Sequence, residues 1–105
     1  MKKHRFKSKA HLSWVHELGC TINNKDCRSP LQAHHLLKPW VGGRGMSMKA
    51  DDRNVIPLCL FHHMELHTKY GNEDKFFDHY SDNPDYGRTL AEALYNESVN
   101  LGNIK

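Results

Sequence analysis

The stretch that decides the fold is Asn54-Val55-Ile56-Pro57-Leu58-Cys59-Leu60-Phe61-His62-His63-Met64-Glu65-Leu66-His67, read with Ala33-His34-His35-Leu36 upstream. Residues 31–37 and 54–58 are short apolar runs bounded by turn residues, which read as strands. Pro57 has no N–H to give a ladder, so its strand belongs at an edge or ends there. Residues 59–70 read as a helix stopped by Gly71. Residues 38–52, with Pro39, Gly42, Gly43 and Gly45, form a polar, basic loop long enough to wrap something. The order is therefore strand, long loop, strand, helix, with histidines at both ends.

His63 and His67 are four residues apart, so a helix puts them on one side, a turn from each other. Two imidazoles so arranged suit one metal ion. Cys59 and His62 are three apart at the opening of the same helix. Neighbours on a helix differ by ~100° in direction, so His62 and His63 serve different ions and two sites are expected. Cys20, Cys27, Cys59 and His62 would make a closed, tetrahedral Cys₃His zinc site that holds a small fold together. The spacing from Cys20 to Cys27 is wider than a usual knuckle, with residues 23–26 as the inserted loop. The plainer reading is three ordinary buried cysteines. For the second site, His63 and His67 need a third ligand, and the pair His34-His35 is its source. Adjacent strand residues point to opposite faces, so one of the pair can bind metal while the other addresses a substrate. His4, His11, His16 and His79 are expected at the surface with no role.

The rest of the chain bounds these readings. At 105 residues and 12.2 kDa there is room for one domain. An apolar share of 38% is low for so short a chain, which makes an internal staple expected. Three cysteines, an odd number, argue against a disulfide framework. No apolar run approaches the ~20 residues of a membrane span, and the basic N-terminus lacks a signal peptide's apolar stretch, so a cytoplasmic location is expected. Residues 1–49 carry ten Lys/Arg against Glu17 and Asp26, whereas residues 50–105 carry five against ten acids. The basic half suits a polyanion such as DNA. Residues 1–9 read as a flexible basic arm and 10–105 as a single domain. Helices are expected over 10–19, 73–80 and about 88–101, the last with Leu90, Leu94 and Leu101 on one face.

The histidine pair, the Gly-rich stretch and the run from Asn54 through Cys59-x-x-His62-His63-x-x-x-His67 together resemble the HNH endonuclease motif of the ββα-metal, or His-Me finger, superfamily. The resemblance covers residues 20–67, within a motif core of 20–70, and includes paired cysteine knuckles. The step from Asn54 to His63 looks like the colicin-type members. Residues 11–20, Gly43-Arg44-Gly45-Met46 and Pro57-Leu58-Cys59 are similar to small phage and prophage HNH proteins, including recombination-enhancement nucleases of the Ref type. The resemblance implies an α+β fold, a ββα-metal finger with a zinc-stabilised knuckle and flanking helices. It implies a phosphodiester hydrolase that nicks or cuts DNA with limited sequence preference. His35 would be the general base, since a neutral imidazole can take a proton from water. His34, His63 and His67 would hold the catalytic ion, Mg²⁺ or Mn²⁺, with Zn²⁺ or Ni²⁺ able to occupy so soft a set. Asn54 would tether the loop and help orient His35. Arg44, Lys49 and Arg53 would contact the DNA backbone, a solvated loop being nearly as good a reading of them. A phage or prophage protein in a bacterial host, with a recombination or packaging partner, is the implied setting.

Two other classes compete. One is a non-catalytic zinc module that binds DNA or protein. The other is a metalloprotease, which fails because Glu65 sits one place too late in His63-Met64-Glu65-Leu66-His67 to act as the base of His-Glu-x-x-His.

Overall fold

In the computed structural model, which describes residues 6–42 and 49–104, the chain forms helix α1 (Lys9–Val15), strands β1 (Leu31–His35) and β2 (Val55–Cys59), and helix α2 (Leu60–Glu65). A π-helical turn (Leu66–Tyr70), helix α3 (Glu73–Ser81) and helix α4 (Tyr86–Asn100) follow. This is a small α+β fold, an antiparallel hairpin followed by helices. No helix among the described residues is long and apolar enough to cross a membrane.

The hairpin register pairs Leu31 with Cys59, Ala33 with Pro57, His34 with Ile56 and His35 with Val55. Pro57 sits in mid-strand rather than ending it. In a two-stranded sheet each strand is an edge, so its missing N–H breaks no ladder, and its carbonyl accepts from the Thr21 N–H at 2.9 Å. β2 is buried at every position, because α1, α2 and α4 all pack on it. β1 ends at His35, short of the expected Leu37. The N–H groups of Leu37 and Lys38 turn away from β2 and donate to the Glu73 carboxylate at 2.8 and 2.9 Å.

Three helical expectations change in detail. Residues 1–5 lie outside the described residues, but Phe6 to Lys9 are no free arm. Phe6 packs edge-on against Tyr95 of α4 at 5.7 Å, Ser8 caps α1 by accepting the His11 N–H, and Lys9 opens the helix. Residues 59–70 are not one α-helix, since its second half widens into the π-helical turn and closes at Gly71 with φ 84°. That positive φ explains the glycine. In α4 the buried stripe is Gly87, Ala91 and Ser98, and Leu101 is 58% exposed. The reason is close approach, since a Cβ on Gly87 would lie 2.9 Å from the Phe77 ring.

The core gathers Leu36, Ile56, Leu58, Leu66, Phe76, Phe77 and Ala91. It clamps the hairpin against α3 and α4, and so fixes the end of β2 from which α2 departs.

Candidate functional site

Two clusters flank the start of α2. In the first, Cys59 ends β2 and caps α2, its sulfur accepting the His62 N–H at 3.5 Å. That cap turns the His62 ring back on the strand, with Nδ1 at 3.1 Å from Cys59 Sγ, 3.6 Å from Cys27 Sγ and 3.7 Å from Cys20 Sγ. The four ligand atoms all lie within 4.8 Å of one another. Cys20 and Cys27 come from the loop between α1 and β1. Thr21 fastens one side of it to Pro57, and the Leu60 N–H, donating to the Arg28 and Pro30 carbonyls, fastens the other. The extra residues between the cysteines make a turn, with Asn23 at φ 51° and the Asn24 carbonyl accepting from Cys27. None of these three cysteines is in a disulfide.

Burial works to raise the Cys59 thiol, but hydrogen bonds from the His62 and Arg28 region and from its cluster neighbours outweigh it and bring Cys59 down to about 6. Burial pushes Cys27 up to about 11. Three sulfurs and one imidazole suit zinc, and this cluster can bind a structural zinc ion.

The second cluster lies on the other side of α2. Rings of His34, His63 and His67 stand 4.9, 5.2 and 5.0 Å apart, centre to centre, and one nitrogen from each lies within 4.8 Å of the others. Burial grades across it, from His34 at 1% exposure through half-buried His63 to exposed His67, so the cluster opens to solvent on the His67 side. Two rings are held by acceptors. His34 Nε2 donates to Glu73 Oε2 at 2.7 Å, leaving Nδ1 as its lone-pair atom, and His63 Nδ1 donates to Gln32 Oε1 at 2.5 Å, leaving Nε2. A histidine whose second nitrogen bonds a carboxylate is the usual supported metal ligand. Burial, reinforced by the charges His34, His67 and His35 can carry, pushes His63 down to about 4. Burial lowers His67 too. Burial would raise the Glu73 carboxyl, but the bonds from His34, Leu37 and Lys38 hold it below its ordinary value.

His35 faces the other way from His34. Its Nε2 donates to Asp52 Oδ1 at 2.8 Å, and both side chains are 13% exposed. Asn54 is fully buried and laces the long loop. It accepts the Trp40 N–H at 2.8 Å and donates to the Val41 carbonyl at 3.1 Å and Asp51 Oδ1 at 3.2 Å. Its amide bonds the loop rather than His35, whose ring Asp52 holds. Among the basic residues, Arg44 lies outside the described residues. Lys49 is exposed. Arg53 pairs with Asp51 at 2.6 Å, with its guanidinium 5.6 Å from the Phe6 ring. His11, expected at the surface, is fully buried beside Trp14 and Tyr95, because α1 turns His11 and Val15 inward together.

Sequence reasoning missed Glu73, Asp52 and Gln32. Gln32 had a signal, since it lies two residues before His34 and so on the same strand face. Glu73 follows Asn72, whose side chain caps α3, but its reach back to β1 is tertiary. Asp52 stood only as one of two acids before β2.

A family model described as "Protein of unknown function (DUF968)" matches residues 1–95. The chain is also similar to the "Uncharacterized protein YdfU" of Escherichia coli (strain K12), 35% identical over 79 residues, covering 69% of this chain and 21% of that protein. The chain thus spans about a fifth of the length of that relative. No solved structure matches it.

Proposed function

The chain belongs to the DUF968 family, and from the chemistry of its two clusters we propose that it is a metal-dependent DNA endonuclease built on an HNH, or ββα-metal, finger. The observation that carries this reading is the juxtaposition of an open three-imidazole cluster with a fourth, carboxylate-held imidazole on the next strand residue. A structural zinc alone would need only Cys20, Cys27, Cys59 and His62. The second cluster has fewer protein donors and opens to solvent, as a site that must admit a substrate oxygen does.

His34, His63 and His67 would hold a divalent ion, Mg²⁺ or Mn²⁺ in the cell, with Zn²⁺ or Ni²⁺ also suited to nitrogen donors. Such an ion supplies positive charge at the scissile phosphate and its leaving oxygen. His35 does the proton work. With Nε2–H given to Asp52, its Nδ1 lone pair takes a proton from water as the water oxygen forms a bond to phosphorus. The ester P–O bond on the opposite side breaks, and the leaving oxygen acquires a proton from solvent. Asn54 keeps the loop shaped around the strand ends. Lys49, with Arg44 and the remainder of the basic half, would meet backbone phosphates, which gives affinity that falls steeply with salt and little base preference. Choice of target then belongs to DNA structure or to a recombination or packaging partner.

The test is conversion of supercoiled plasmid to open circles across a series of Mg²⁺, Mn²⁺, Ni²⁺ and Zn²⁺, with metal content measured alongside. Nicking that requires an added ion while one zinc stays bound is the expected result. A protein that retains one zinc, takes up no second ion and leaves the plasmid intact would instead be a non-catalytic zinc module.

A further inference from the structure

The contact of His35 with Asp52 is part of a larger arrangement that reaches the start of the chain. Asp52 is 9% exposed and uses both carboxylate oxygens. Oδ1 accepts from His35 Nε2 at 2.8 Å, and Oδ2 accepts the Ser8 N–H at 2.9 Å. Its own N–H donates to the Phe6 carbonyl at 3.2 Å. Residues 6–8 therefore grip Asp52 on two sides. That segment is in turn fixed by Phe6 against Tyr95 and by the Ser8 cap on α1.

We propose that Asp52 is a positioning residue that holds His35 in the tautomer with Nε2–H and a free Nδ1, and that residues 6–8 hold Asp52 for that purpose. A carboxylate only accepts, so the His35 nitrogen facing it must carry the hydrogen. The lone pair is then confined to Nδ1. The backbone N–H of Ser8 fixes which oxygen is left for His35. This rests on the nuclease reading for what the lone pair does, but the tautomer assignment stands on the contacts alone.

The substitution Asp52→Asn separates shape from hydrogen-bond direction. Ser8 N–H still needs an acceptor, so the amide oxygen faces Ser8 and the amide NH₂ faces His35. A donor there requires a bare Nε2 and drives the ring to the Nδ1–H form. The experiment is ¹⁵N NMR of the imidazoles in the zinc-loaded protein, with His35 assigned through His35→Gln, alongside nicking kinetics and Mn²⁺ titration calorimetry. Wild type is expected to show His35 as Nε2–H and Asp52→Asn as Nδ1–H. kcat should fall at least about 100-fold, since the wrong tautomer of a histidine base can cost up to roughly 10⁴-fold, while KM and Mn²⁺ affinity change less than roughly 3-fold. Asp52→Glu should restore the Nε2–H form and part of the rate. A wild-type His35 in the Nδ1–H form, or an unchanged tautomer in Asp52→Asn, would overturn the proposal. Wild-type protein that cuts no DNA would defeat the nuclease reading alone, and the NMR comparison would still decide for or against Asp52.

Discussion

His34 and His35 are adjacent in sequence and divergent in environment. One is sealed against Glu73 and the other half-buried against Asp52. Each acid accepts from Nε2 and leaves Nδ1 with the lone pair, so the two rings share a tautomer and differ in the carboxylate that holds them. His63 bears the largest cost of crowding, since burial and three neighbouring imidazoles bring it from 6.5 to about 4. Between those values the unfolded chain binds the proton and the folded chain does not, so stability rises with pH. The contribution is complete above about 6.5 and disappears as pH falls toward 4. His11, His35 and His67 are lowered by burial as well and act in the same sense. Urea midpoints of protein with the histidine cluster stripped of ions should drop between pH 7 and pH 5, and His63→Gln should flatten that dependence. The pairing of His63 with His67 was legible from spacing, and the choice of His34 over His35 as their third member only from the family resemblance. The acids that direct them were not, because both contacts join residues far apart in the chain.

At the level of elements, the hairpin, the helix start and the breaker at Gly71 could be read from short apolar runs, spacing and glycine. The end of β1 could not, because a carboxylate on α3 draws off the N–H groups of Leu37 and Lys38. The inner face of α4 was read only in part: Leu90 of the leucine face packs on the core and Leu101 does not, while the fully buried positions are the small residues Gly87, Ala91 and Ser98, which let the helix press against Phe77. Gly87→Ala tests that contact. Alanine favours a helix over glycine by up to about 1 kcal/mol, but a methyl group meeting an aromatic ring inside a packed core costs about 1–3 kcal/mol. The clash should win, lowering stability by up to about 2 kcal/mol in chemical denaturation.

For the molecule as a whole, a short chain with a modest apolar share closes its fold through the loop carrying Cys20 and Cys27. A structural zinc contributes roughly 10–16 kcal/mol in small zinc domains, comparable with the roughly 5–15 kcal/mol that holds a whole domain folded. Stripping zinc with a strong chelator should lower the calorimetric melting temperature by more than about 10 °C. Because His62 and His63 are neighbours on α2, the loss should also weaken ion binding at His34, His63 and His67. The nuclease reading turns on a single nitrogen, and the most direct test is single-turnover cleavage of end-labelled duplex DNA with Mn²⁺, comparing wild type with His35→Ala at equal zinc content. A rate loss of roughly 10²- to 10⁴-fold is expected, the usual worth of a positioned general base. Cleavage by His35→Ala at close to the wild-type rate would contradict it.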